Sequence, residues 1–150
     1  MSNKLESLIA KAGSRLSAKG LARWWKIPND LRLLPGGRIT HGAWTPCDFM
    51  GFTSDGRSIL IEAKMAGRNR LAVGGEKTSG VKGHQWTALQ LAERCHCLAL
   101  LVWMRHEEVA VMTMHDAKLA MGHHRSIPWF ELETIYEANS PPDSWFAPYL

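Results

Sequence analysis

From Asp48 to Lys64 the chain reads D-F-M-G-F-T-S-D-G-R-S-I-L-I-E-A-K, with an acid at its head and a Glu-x-Lys triplet at its end. Side chains of a strand alternate between faces, so Glu62 and Lys64 point one way with Leu60, while Ile59, Ile61 and Ala63 point the other. A segment apolar on both faces reads as a central strand, where a charge is costly to bury unless it is paired or holds a cation. An Asp from one strand and a Glu from the next suit a shared divalent cation, because hard cations take carboxylate oxygens. A lysine on the face of that Glu is placed to orient a water and to stabilise developing negative charge. The chemistry expected of such a set is metal-assisted hydrolysis.

The elements that position these groups follow from periodicity. Asp55-Gly56 marks a tight turn, so Phe49 to Phe52 and Ser58 to Lys64 form a hairpin. Leu5, Leu8, Ile9, Ala12 and Leu16 fall on one face of a helix expected from Leu5 to about Ala22, capped by Ser2 or Asn3 and weakened by Gly13. Trp24 to Ile27 reads as a short extended piece ended by Pro28, and Pro35-Gly36-Gly37 as a turn. Ile39 to Trp44 is a brief strand or loop, and Met65 to Gly83, rich in glycine and cations, reads as a mobile loop. A helix from His84 to about His96 leads to a buried strand, Cys97 to Met104, which pairs with Val109 to Met114. A short helix from about Asp116 and an aromatic, proline-containing tail close one compact α/β unit, a single domain over residues 1–150.

Composition narrows the function classes. Residues 1–82 carry 14 Lys and Arg against 6 Asp and Glu, and residues 83–150 carry 4 against 8. The basic half holds the Asp48–Lys64 set, as a phosphate-backbone partner requires; a solvated surface that is basic at one end gives the same count. No apolar run is long enough to span a membrane, and the N-terminus lacks the apolar stretch of a secretory signal. The three cysteines argue against a disulfide framework and suit a reducing cytoplasm.

The segment after Lys64 carries Arg68, Arg70, Lys77 and Lys82 among five glycines, which favours DNA contact. Arg38 and His84 join them as expected DNA contacts. The segment is not a phosphate-binding G-x-x-x-x-G-K-S/T loop, because Gly75-Glu76-Lys77-Thr78 puts an acid where phosphates would sit. Cys95-His96-Cys97 and His123-His124 lack the spacing of a zinc site, and Cys97 leads into a buried strand. The tryptophans read as core groups, with Trp24-Trp25 between Arg23 and Lys26 as a partial exception suited to base stacking.

Asp48-Phe49-Met50-Gly51, Ile61-Glu62-Ala63-Lys64, the basic segment leading to Gly83-His84-Gln85, the strand Cys97 to Met104 and the close Phe146-Ala147-Pro148-Tyr149 together resemble the PD-(D/E)xK nuclease superfamily, and within it RecU-like Holliday junction resolvases. The sequence departs from that pattern at Thr45-Pro46-Cys47 and in having only a short segment, Leu34 to Trp44, where the family carries a long stalk. The resemblance implies a restriction-endonuclease-like α/β fold, a mixed central sheet flanked by helices. It implies Asp48, Glu62, Lys64, Glu6 and Gln85 as catalytic residues, with Asp48, Glu62 and the Ala63 carbonyl holding Mg²⁺, for which Mn²⁺ substitutes. Glu6 equally suits the dipole of its helix, and Gln85 equally suits a solvent-facing helix start. The implied activity is paired nicking of four-way DNA junctions by a homodimer, leaving 5′-phosphate and 3′-hydroxyl ends, in a bacterial or phage-infected cell. Two alternatives stay open: a nuclease of the same fold acting on other branched or damaged DNA, and a non-catalytic DNA-binding scaffold.

Overall fold

In the computed structural model, which describes residues 3–28, 31–33, 35–37, 39–41 and 45–150 (at 31–33 and 39–41 the backbone alone), the chain opens on α1 (Lys4–Ala18). Asn3 caps this helix by accepting from the Glu6 N–H, and Leu5, Ile9, Ala12 and Leu16 form its buried stripe. The helix stops short of the expected Ala22 because Gly20 turns the chain with φ 70° and Ala22 already opens β1 (Ala22–Lys26). Gly13 has a packing reason: a Cβ there would lie 2.7 Å from the Trp24 indole nitrogen, whose N–H donates to the Ile9 carbonyl at 2.9 Å.

A small antiparallel ribbon of β2 (Leu31–Leu33) and β3 (Ile39–His41) follows, with the expected turn at Pro35-Gly36-Gly37 between them. The expected hairpin is present as β4 (Phe49–Thr53) and β5 (Ser58–Met65), with Phe49 opposite Ile61 and Met50 opposite Leu60. The segment after β5 differs from the mobile loop expected of its composition. Within it, β6 (Arg70–Ala72) pairs with residues 126–128, Val73 bridges Val81, and Leu71, Val73 and Val81 are buried. These apolar residues are scattered among glycines and cations, so their strand period is masked, yet they are enough to tie the segment down.

Next come α2 (Gly83–Arg94), β7 (Leu98–Arg105), β8 (Glu108–Thr113) and α3 (Met114–Met121), the last capped by Thr113. Then β9 (Ser126–Pro128) supplies the partner of β6, and β10 (Ile135–Glu137) pairs with β8. The main sheet runs β1-β4-β5-β7-β8-β10, with β5 and β7 parallel and every other pairing antiparallel. A parallel pair needs a crossover, and α2 provides it.

Alternation along β5 and β7 divides the core. Ile59, Ile61, Ala63, Leu100 and Val102 face α1, while Leu60, Ala99, Leu101 and Trp103 belong to the cluster on the α2–α3 side. The aromatic C-terminal tail turns inward. Trp145 and Phe146 are fully buried in the α1-side core, and the Tyr149 hydroxyl donates to the Val111 carbonyl at 2.9 Å. Among the described residues no helix is long and apolar enough to cross a membrane.

Candidate active site

Asp48 sits at the junction of three strands. Its N–H donates to the Ile61 carbonyl at 3.0 Å, its own carbonyl accepts from Ile27 at 2.8 Å, and its Oδ2 accepts from the Ala63 N–H at 2.8 Å. Gly51 permits this convergence, since a Cβ there would lie 1.9 Å from the Arg23 carbonyl oxygen. The side chain of Asp48 is thus fixed against the strand that carries Glu62 and Lys64.

Glu62 is fully buried, and neither of its carboxylate oxygens has a hydrogen bond of good geometry. Its Oε1 lies 2.8 Å from Lys64 Nζ, an ion pair without hydrogen-bond geometry. Burial first, and then the charge of Asp48, push the Glu62 carboxyl up to about 7 despite Lys64. Asp48 is also raised by burial, opposed by the Ala63 N–H and by Lys64. Two carboxylates are therefore held together in a setting that disfavours their charges, and a divalent cation between them would relieve that cost. Among the described residues no group of three or more His, Cys, Asp and Glu side chains is gathered for a metal, and the two carboxylates stand as a pair. Paired carboxylates short of partners are the donors a hard cation takes, and the residues fit it.

Lys64 reaches the site from β5 and donates from Nζ to Gln85 Oε1 at 3.0 Å. The same oxygen accepts from the Lys82 N–H at 3.1 Å, so Gln85 joins the start of α2 to the lysine rather than facing solvent. Glu6 lies near enough for its charge to raise Asp48, but its partner is Lys26, with which it forms a short ion pair. Lys26 was missed in the sequence. Its register opposite Phe49 sets it beside Asp48, whose carboxyl its charge lowers, and that pairing is visible only once β1 is known to lie on β4. Cys47 was missed too: its thiol donates to the Phe49 carbonyl at 3.1 Å, and burial, then Glu62, push it up to about 12.

The expected DNA contacts are more dispersed. Arg68, Lys77 and Lys82 are exposed, whereas Arg70 is tied to Ser126, with Nε donating to Oγ at 2.7 Å. His84 meets Glu76 twice, through its N–H at 2.8 Å and its Nδ1 at 2.8 Å. Glu76 thereby caps α2, a role its place in the glycine-rich run did not suggest. Arg38 lies outside the described residues.

No family model and no curated protein matches the chain. Among solved structures it is similar to Hjc, a Holliday junction resolvase from the archaeal hyperthermophile Archaeoglobus fulgidus. The TM-score is 0.54 at 12% identity, over 93% of this chain and 99% of that chain. At that identity the likeness is one of fold: a mixed α/β domain with a mixed central sheet flanked by helices.

Proposed function

We propose that the protein is a metal-dependent, structure-specific DNA endonuclease that resolves four-way junctions. The observation that carries this reading is the fully buried Glu62, paired only with Lys64 and set beside Asp48 at the end of a central strand. The fold shared with Hjc supports it.

In this reading Asp48, Glu62 and the Ala63 carbonyl hold Mg²⁺, with Mn²⁺ as a substitute. When bound, the cation neutralises phosphate oxygens and eases ionisation of water. Lys64 orients the attacking water and stabilises the negative charge that develops on the phosphate. Gln85 holds the Lys64 amine through its 3.0 Å contact and so limits where that charge sits. Hydrolysis leaves a 5′-phosphate and a 3′-hydroxyl. A homodimer would set two such sites on opposed strands of the junction, whose symmetry is twofold.

The test is cleavage of a labelled, immobile four-way junction with Mg²⁺, beside flap and plain-duplex controls. Paired symmetric nicks in the junction are the expected product. The short segment from residue 34 to 44 favours a second reading, the same chemistry on other branched DNA, and flap cutting without junction cutting would select it. Binding without any metal-dependent cut would overturn both.

A further inference from the structure

The face of the sheet that carries Glu62 and Lys64 is only partly covered. Helices α2 and α3 pack on β5, β7 and β8. Trp25, Met50 and Leu60 stand directly opposite one another across β1, β4 and β5 and therefore share that face. Leu60 is buried, but Met50 is 41% exposed, Trp25 51% and Phe52 55%. The two rings lie diagonally across the strand pair, with centroids 5.7 Å apart and planes tilted by 55°. Arg23, opposite Phe52, sets its guanidinium 5.3 Å from the centre of the Trp25 ring.

This surface is aromatic, cationic and adjacent to the candidate active site. Strand spacing and rise put the Trp25 position about 12 Å from that of Glu62, on the order of three to four stacked nucleotides. Among the described residues no carboxylate pairs with Arg23, and Asp55, the acid nearest Phe52 in sequence, is held by Arg57. Exposed rings beside a guanidinium match a nucleobase, which offers a flat π-face and carries a phosphate behind it. They match a second copy of the same surface poorly, because a twofold contact would bring Arg23 against its mate in a patch whose described residues, Arg23, Trp25, Met50 and Phe52, include no acid.

We propose that Arg23, Trp25, Met50 and Phe52 form a stacking platform for unpaired bases of the DNA strand that enters the Asp48–Glu62–Lys64 site. The proposal rests on the nuclease reading for the identity of that strand, and it makes exposed bases near the cut part of what the protein selects. Fully paired duplex lacks them; branch points and single-stranded flanks supply them.

The experiment is fluorescence anisotropy with a labelled oligothymidine and a duplex of equal length, in EDTA, so that it reads binding whether or not the protein cuts. Trp25→Ala and Phe52→Ala should each weaken oligothymidine binding about tenfold, and Trp25→Phe should restore most of it. Duplex binding, dominated by phosphate contacts, should change by no more than about twofold. Equal losses on both ligands, or no loss on either, would overturn the proposal. So would a wild-type dimer that becomes monomeric in Trp25→Ala without selective loss of oligothymidine binding, which would assign the surface to a second copy. Loss of cleavage in the nuclease assay would leave this result standing and remove only the catalytic reading.

Discussion

Among the described residues Glu62 and Asp143 are the two least exposed carboxylates, and their surroundings are opposite. Asp143, 8% exposed, is met by Arg15 at 3.2 Å and Lys19 at 2.7 Å, and these partners hold its carboxyl below the usual range. Glu62, fully buried, has Lys64 as its one cationic partner and Asp48 as a like-charged neighbour, and is pushed up to about 7. Asp143 fastens the C-terminal segment to α1, and its interactions are complete. Glu62 is left short of partners beside Asp48 on a central strand. Burial alone thus separates neither role; what distinguishes them is whether the negative charge is matched within the chain.

The largest effect expected from this contrast is on cleavage. Glu62→Gln and Asp48→Asn should each lower the metal-dependent rate roughly a thousandfold, since the cation's contribution is worth several kcal/mol. Asp143→Asn, measured beside them in the same gel assay, should leave the rate within about twofold. Lys64→Ala should cost on the order of a hundredfold in kcat, and Gln85→Ala, which releases the lysine without removing it, about tenfold.

Stability should move in opposite directions. The folded protein keeps a proton on Glu62 up to about pH 7, whereas an unfolded Glu loses it near its ordinary value of 4.5, so this group's effect is to lower stability as pH rises through that window. At pH 8 and without metal, Glu62→Gln should therefore raise Tm by several degrees, read by circular dichroism. Asp143, with its carboxyl lowered, stabilises the fold above the ordinary Asp range and stops doing so as pH falls through its folded value. Asp143→Asn should lower Tm by about 2 °C at pH 8. A smaller effect is expected at the Glu6–Lys26 pair: Lys26→Ala should shift the pH dependence of Asp48 upward without abolishing cleavage.

Much of the central architecture was legible in the residues. The run from Asp48 to Lys64 showed a hairpin because its turn chemistry and alternation agree, and Glu62 stood out because a charge interrupts an apolar strand. Gln85 was visible only through its place after the basic segment, and its contact with Lys64 depends on how α2 lies over β5. Lys26 and Cys47 were hidden because their proximity to Asp48 comes from pairing and burial that no local pattern encodes. The segment from Met65 to Gly83 misled for a related reason: composition reports glycine and charge, while Leu71, Val73 and Val81 decide where it packs. The aromatic tail is core, with Trp145 and Phe146 packed in the cluster that includes the apolar stripe of α1.

The most direct test of the contrast is cation binding in the absence of DNA. Mn²⁺ can be titrated into wild type, Glu62→Gln and Asp143→Asn and followed by electron paramagnetic resonance at pH 8. Saturable binding in wild type and Asp143→Asn that disappears in Glu62→Gln is the result predicted here. Equal binding by all three proteins would contradict the claim that the unmatched carboxylate of Glu62 is there to hold a metal.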